Sequence, residues 1–180
     1  MNLTTERLSL RRFTADDVEL VHAWYGDPEV TRYLGGPKTR AEVEKMMASR
    51  ILGYYDEHPG LGIWATTERA SGRTIGMHLL NHIHGEPLIQ TGYVLGSAFW
   101  GHGYATEMAL AVMRYGFETL RLERIHGLTT PDNIASQRVL MKIGLERRAD
   151  RVLTHEAYAG HGPFAWFERD RDDWLASRRA

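Results

Sequence analysis

The chain has 180 residues, no cysteine and a formal net charge of −1. The lack of cysteine excludes disulfides, thiolate nucleophiles and cysteine-ligated zinc, and the charge gives no overall attraction to nucleic acid or to an anionic membrane. No apolar run is long enough to span a bilayer and no signal peptide is evident, so we expect a cytoplasmic protein. With 43% hydrophobic residues, the chain is expected to form one globular domain over residues 1–180.

The first part of the chain is predicted to form a strand followed by two helices. Residues 7–11 alternate apolar and polar side chains, which is typical of a strand. Thr14 with Asp17, and Thr39 with Glu42, have the spacing of helix capping boxes. Apolar residues at helical spacing follow each box, so both helices should bury one face.

The rest of the chain alternates between strand and helix periodicity. The predicted elements are, in order, strands at 62–68, 73–83 and 87–96, a helix at 104–120, a strand at 124–130, a helix at 133–143, strands at 144–152 and 162–170, and a short helical tail. A turn rich in small residues joins the first two of these strands and indicates a hairpin. The order of elements predicts a mixed α/β sheet.

A glycine-rich turn immediately precedes the long helix at 104–120. Gly101 and Gly103 let backbone N–H groups approach a ligand closely, and a helix N-terminus attracts phosphate or pyrophosphate. A tight turn without a ligand is the alternative. The turn lacks the third glycine of a dinucleotide fingerprint and the Gly-Lys-Ser/Thr of a phosphate-binding loop. A nucleotide-binding oxidoreductase would therefore rest on this turn alone.

A second helix start contains a serine at an informative position. Asn133 is a candidate helix cap, and Ser136 lies three residues further on, in the first turn. Ser136 shares its side of the helix with Leu140 and Ile143, so it should face inward. Either the two residues simply complete the cap, or Ser136 faces a site between the two helix N-termini.

Together these segments resemble the GCN5-related N-acetyltransferase (GNAT) superfamily, and within it the RimJ/RimL-like branch of ribosomal-protein N-terminal acetyltransferases. The matching segments are Gly92-Tyr93, "WGHGYATE" (100–107), "PDNIAS" (131–136) and Gly144-Leu145, in the order and spacing of that family. The resemblance implies an α/β (α+β) fold with a central, mostly antiparallel mixed sheet. That sheet would be splayed into a V-shaped cleft, with helices on both faces.

The resemblance also implies that acetyl-CoA is the co-substrate and that it lies in the cleft. Backbone groups of Val94 and Leu95 would bind the pantetheine arm, Asn133 would contact the arm, and Ser136 would lie near the sulfur and donate a proton or a hydrogen bond to the leaving thiolate. The pyrophosphate would be held by backbone N–H groups of His102, Gly103, Tyr104, Ala105 and Thr106. A homodimer is compatible with the resemblance, although the sequence indicates no interface.

The sequence departs from the family at Gln90, where many members of the branch carry a glutamate as candidate base. Glutamine can orient water but cannot usefully accept a proton. An α-amino group with a pKa of about 8 is roughly a quarter neutral near pH 7.5, whereas a lysine amine with a pKa of about 10.4 is ~0.1% neutral. The departure therefore favours acceptor amines of low pKa, unless His78, Glu86 or Glu156 supplies the base.

The predicted activity is acetyl transfer to a primary amine, either a small molecule or a protein N-terminus, with Ser136 and Gln90 as the catalytic candidates. The alternative is a non-catalytic acyl-CoA sensor that has lost its base. His82 and His84 with Glu86 form the one metal-like pattern, and chance pairing among nine histidines makes us expect no metal. No nucleic-acid or membrane partner is expected.

Overall fold

The protein is described here by a computed structural model that covers residues 3–178. The strands are β1 (Leu8–Arg12), β2 (Gly62–Glu68), β3 (Thr74–His82), β4 (Ile89–Leu95), β5 (Arg124–Thr129), β6 (Glu146–Arg147) and β7 (Ala165–Asp170). The α-helices are α1 (Val18–Tyr25), α2 (Pro28–Thr31), α3 (Arg40–Met46), α4 (Tyr54–Glu57), α5 (Tyr104–Arg114), α6 (Ile134–Lys142) and α7 (Arg171–Ala176). Two π-helical segments, Met47–Leu52 and Tyr115–Thr119, continue α3 and α5.

The strands form one mixed sheet in the order β1-β2-β3-β4-β5-β7-β6. Every neighbouring pair is antiparallel except β4 and β5, which run parallel. The predicted mixed, mostly antiparallel sheet is therefore confirmed. The one parallel junction lies in the middle of the sheet, where the chain crosses over through α5.

Helices cover both faces of this sheet. On β3, the imidazole of His78 bonds the backbone carbonyl of Ala105 in α5, while the sulfur of Met77 lies 4.0 Å from the hydroxyl of Tyr25 in α1. Because successive strand residues point to opposite faces, α1 and α5 lie on opposite sides of the sheet. The main hydrophobic core accordingly has a layer on each face.

Both predicted capping boxes are present. The backbone N–H of Thr14 donates to the Asp17 carboxylate over 2.9 Å, and that of Thr39 donates to the Glu42 carboxylate over 2.7 Å. The first box begins a short 3-10 turn that leads into α1, and the second begins α3 directly. These two helix starts were predictable because a capping box is a contact between residues only three positions apart.

Two elements lie partly at the surface. On α5, Leu110 is 37% exposed. The helix packs on the sheet and touches α6, which leaves the side of Leu110 open. The strand expected at 144–152 is reduced to Glu146–Arg147 at the sheet edge, because the charged residues that follow suit an exposed edge.

Candidate active site

The sheet opens between β4 and β5. These strands pair at one position, Gln90 with His126, and beside it Nδ1 of His126 donates to the carbonyl of Ile89 over 3.0 Å. Towards their carboxyl ends the strands are no longer paired with each other, although each stays paired on its other side. The result is a V-shaped cleft, as the resemblance implied. Helices α5 and α6 follow the two strands at its open end.

The glycine turn leaves a row of backbone N–H groups available at the start of α5. Gly101 and Gly103 have φ values of 79° and 80°, in the left-handed region that favours glycine. The first N–H to make a backbone hydrogen bond is that of Glu107, to the carbonyl of Gly103. Those of His102 to Thr106 have no backbone partner among residues 3–178. Unpaired N–H groups at the positive end of a helix dipole suit a pyrophosphate.

The turn is fixed by a contact with the N-terminal strand. The Glu107 carboxylate accepts hydrogen bonds from the Thr5 hydroxyl over 2.6 Å and from the Arg7 backbone N–H over 3.0 Å, and it pairs with the Arg7 guanidinium. The same guanidinium donates to the carbonyl of His102 over 3.0 Å. Burial alone would raise the pKa of Glu107, but these hydrogen bonds lower it. Arg7 therefore orders the turn, with its charge paired by Glu107.

Alternate residues of β4 direct their backbone N–H and C=O groups away from β3 and towards the cleft. The N–H of Gly96 donates to the carbonyl of Ile75 in the ladder with β3. Because the register with β3 is uninterrupted, the same alternation directs the backbone of Val94 towards β3 and that of Tyr93 and Leu95 towards the cleft. This geometry suits the expected role of Leu95 through its N–H, while the Leu95 carbonyl already accepts a hydrogen bond from the Trp100 indole N–H over 2.9 Å. It argues against the expected role of Val94, whose backbone groups are directed into the ladder with β3.

Ser136 and Tyr93 meet on the face of the sheet that carries α5 and α6. The Tyr93 hydroxyl donates to Ser136 Oγ over 3.3 Å, a contact between β4 and the first turn of α6. Burial raises the pKa of Tyr93 to about 12, so the phenol keeps its proton. Asn133 caps α6 by accepting the N–H of Ser136 over 3.1 Å. The cap uses the backbone of Ser136 and leaves its hydroxyl to face the cleft side.

Gln90 lies on the opposite face of β4. Its side-chain amide donates to Oδ1 of Asn81 on β3 over 3.3 Å. The two residues line a cavity of about 70 Å³ together with other residues that include Tyr25 and Arg50. Arg50 and Asn81 also line a second cavity, of about 420 Å³, near the β3–β4 hairpin. Gln90 of β4 therefore lines the smaller cavity, and Asn81 and Arg50 line both cavities. The larger cavity has the size of a small-molecule pocket.

The three candidate substitute bases occupy different places. His78 is buried on the face of α5, where the Thr66 hydroxyl donates to its Nδ1 over 2.7 Å and its Nε2 donates to the Ala105 carbonyl over 3.2 Å. Both ring nitrogens are used, so His78 positions the start of α5 and is unsuited to act as a base. Glu86 lines the larger cavity, and Glu156 is exposed.

His78 should make folding sensitive to mild acid. Burial lowers its pKa from 6.5 to about 4, so below pH 6.5 the unfolded chain binds a proton that the folded chain refuses. We expect the free energy of unfolding to fall by up to about 3 kcal/mol as the pH decreases from about 6.5 to about 4. Urea unfolding at several pH values measures this loss. It should be smaller in His78→Asn, and equal slopes for both proteins would contradict the assignment.

Within residues 3–178 no group of three or more His, Cys, Asp or Glu side chains is arranged to hold a metal. Nδ1 of His82, one member of the suspected pattern, bonds instead to the Tyr54 hydroxyl over 2.6 Å. In the same part of the chain, no helix is both long and apolar enough to cross a membrane.

Three residues of the site were not found by sequence reasoning. Tyr93 belongs to the Gly-Tyr pair. It lies three residues after Gln90 on the same strand, so its side chain points to the opposite face of the sheet, which could have indicated a role on that face. Asn81 is a polar residue inside an apolar strand, which is a usable sequence signal, and the structure buries it. Arg7 carries no local signal, since its role depends on the distant Glu107.

A split parallel pair, a glycine turn at a helix N-terminus and a hydroxyl at the cleft form the arrangement expected of an acyltransferase that uses an acyl-CoA thioester. The acetyltransferase (GNAT) domain family model matches residues 7–146. The uncharacterized N-acetyltransferase YoaA of Bacillus subtilis is 34% identical over 166 residues, which are 90% of this chain and 91% of that protein. The chain belongs to the GNAT acetyltransferase family, is an acetyltransferase, and uses acetyl-CoA as its co-substrate.

Solved structures agree on the fold. The crystal structure of an acetyltransferase from Agrobacterium tumefaciens aligns with a TM-score of 0.80 at 24% identity, covering 94% of both chains. The aminoglycoside acetyltransferase AAC(6')-Ib in complex with coenzyme A aligns with a TM-score of 0.76 at 18% identity, covering 95% of this chain and 99% of the other. These similarities place the splayed sheet among GNAT folds.

Proposed function

We propose that the protein is an N-acetyltransferase of the RimJ/RimL-like branch, with residues 1–180 forming one domain. It transfers the acetyl group of acetyl-CoA to a primary amine by direct attack within a ternary complex. The acceptor is a small molecule or a protein N-terminus. The branch assignment rests on the spacing of "WGHGYATE" (100–107) and "PDNIAS" (131–136).

One observation carries this proposal: the cleft between β4 and β5 lies between two different binding features. On one side is the glycine turn with the unpaired N–H groups of His102 to Thr106. On the other side, past Gln90, lie two neighbouring cavities that share Arg50 and Asn81 as lining residues. A donor held by the turn and an acceptor held in the cavities would meet at β4, which is the arrangement that direct transfer requires.

Residues of β4 and α6 supply the groups that the reaction needs. Acetyl-CoA brings the thioester to this site. The backbone N–H groups of Tyr93 and Leu95 point to the cleft, where they can stabilise negative charge on the acetyl oxygen. Because Tyr93 donates to Ser136 Oγ, the proton of Ser136 remains available for the departing sulfur. Tyr93 is thus a positioning residue for Ser136.

The acceptor amine must attack the thioester in its neutral form. Nε2 of Gln90 is directed to Asn81, which leaves Oε1 to accept a hydrogen bond from an amine or a water. An amide oxygen orients an amine without removing its proton. At a given pH the enzyme therefore favours amines of lower pKa, so α-amines are favoured over lysine-like ε-amines.

Gln90→Glu should raise activity on amines of high pKa. A carboxylate at this position could accept the proton that the amide cannot, so kcat/KM for lysine-like amines should increase by roughly tenfold or more at about pH 7. The measurement is the rate of CoA release across about pH 7 to 10 with a lysine-like amine and with a low-pKa amine. The gain should shrink as the pH rises, and no gain at any pH would contradict the role of Gln90.

The proposal as a whole is tested by thiol release from acetyl-CoA with a broad panel of primary amines. Release that depends on an added amine supports acetyl transfer. Release without any amine would reveal only thioester hydrolysis. Tight binding of acetyl-CoA with no release from any member of the panel would instead support the sensor alternative.

A further inference from the structure

Arg50 stands out among the arginines of the described chain. It lies in the π-helical segment after α3, between the buried core residues Met47 and Ile51, and its side chain lines both cavities. A π-helical turn is a rare feature that often marks functional sites. Here the π-helical turn places the guanidinium of Arg50 among the residues that line both cavities.

Within residues 3–178 the guanidinium of Arg50 has no ion-pair or side-chain hydrogen-bond partner. None of the ion pairs or side-chain hydrogen bonds formed within residues 3–178 includes it, whereas eleven other arginines in that range do form one or both. These are Arg7, Arg11, Arg40, Arg69, Arg73, Arg124, Arg147, Arg148, Arg151, Arg169 and Arg171. Leaving a partly buried cation uncompensated is costly, so such a group is suited to meet a negative charge from outside the chain.

The surroundings of Arg50 leave one positive charge uncompensated. Burial lowers the pKa of His82, and it lowers the pKa of His84 to about 4, so both rings are neutral near pH 7. Glu86 is the one carboxylate among the residues lining the larger cavity, and it pairs with Arg151 at 3.9 Å. A single guanidinium fork matches a single carboxylate, whereas a phosphate dianion would call for a second cation.

We propose that Arg50 binds a carboxylate of the acceptor, and that the acceptor is therefore a small carboxylate-bearing primary amine, an amino acid or a compound of similar size. The inference rests on the proposed acetyl transfer. The reactive amine lies towards Gln90 and the carboxylate towards Arg50, across the wall that both residues line together with Asn81. A cavity of about 420 Å³ accommodates an acceptor of this size. The positive charge disfavours polycationic acceptors.

The test compares amino acids with their own carboxamides as acceptors, using CoA release to obtain kcat/KM for each. Converting the acid to the amide also lowers the amine pKa, so the informative quantity is how the acid-to-amide ratio changes between wild type and variant. In Arg50→Gln this ratio should fall by roughly 10–100-fold, mainly through KM of the acid. Arg50→Lys keeps the positive charge but loses the two parallel N–H donors of the guanidinium. Its acid-to-amide ratio should lie between those of the wild type and Arg50→Gln.

Lys45→Gln is the matched control, because it removes one positive charge from an exposed position on α3. It should leave the ratio unchanged. Acetyl-CoA affinity, measured by calorimetry on every variant, shows whether each protein is folded. An unchanged ratio in Arg50→Gln overturns the inference while acetyl transfer stands, as does faster turnover of an aminoglycoside or polyamine than of any carboxylate acceptor. Acetylation of peptides alone would also overturn the inference while acetyl transfer stands.

If the wild type releases no CoA with any amine, the proposed function fails, and the cavity is then tested by binding alone. Calorimetric titration of the wild type with the same amino acids and carboxamides should still show binding of an acid that Arg50→Gln weakens at least about tenfold. Equal binding of acid and amide, or none of either, overturns the assignment of Arg50.

Discussion

Replacing Ser136 by alanine is expected to lower kcat by roughly 10–1,000-fold, with little change in acetyl-CoA affinity. The hydroxyl faces Tyr93 at the cleft, and its loss removes the donor nearest to the expected position of the leaving sulfur. The variant should fold normally, because the cap of α6 uses the backbone N–H of residue 136 and the side chain of Asn133. Steady-state CoA release and calorimetry measure the two quantities separately.

Two further variants make this result specific. Tyr93→Phe removes the donor to Ser136 Oγ but keeps the serine, so kcat should fall by less than in Ser136→Ala. Ser177→Ala removes a hydroxyl that bonds only the carbonyl of Trp174, and its kcat should match the wild type. Unchanged turnover in Ser136→Ala would remove Ser136 from the mechanism.

Replacing Gly103 by alanine should raise the Kd of acetyl-CoA by roughly 10–100-fold, which corresponds to about 1.4–2.8 kcal/mol. Gly103 has a φ of 80°, where a side chain is strained, and it is the last residue before α5. A shift of the turn would move the N–H groups of His102 to Thr106 that are expected to hold the pyrophosphate. Calorimetric titration with acetyl-CoA measures the effect, and NAD serves as the ligand that should not bind.

Gly160→Ala separates backbone strain from loss of the site. Gly160 has a φ of 81°, and a Cβ there would meet nothing within 4 Å, so the strain is comparable but the residue lies outside the turn. We expect it to cost similar stability in urea unfolding and to leave the Kd of acetyl-CoA unchanged. If Gly103→Ala binds acetyl-CoA as tightly as Gly160→Ala does, the turn does not hold the pyrophosphate.

Much of the fold could be predicted because its signals are local. The capping pairs at Thr14 and Thr39, the hairpin between β2 and β3, and the strand and helix periods depend on residues a few positions apart. The predicted strand at 62–68 agrees with β2, and those at 73–83 and 87–96 extend β3 and β4 by one or two residues at each end. The resemblance added the splayed sheet, which no local pattern contains.

The functional site could be predicted only in part. The glycines at 101 and 103 and the serine at 136 were found because they sit at helix starts, where capping and dipole effects are local. Val94 was assigned to the cofactor although the alternation of ladder bonds turns its backbone towards β3. Likewise, His78 was considered as a base, whereas the fold buries it between Thr66 and α5.

The sequence by itself determined which segments form helices and strands, where a glycine turn precedes a long helix and which family pattern the chain carries. Only the tertiary structure decided that Tyr93 reaches Ser136, that Gln90 is bonded to Asn81, and that Arg50 faces two cavities without a carboxylate partner in the described chain. Such relations join residues far apart in sequence. They are set by strand register, by the opening between β4 and β5 and by helix packing, none of which has a short-range signature.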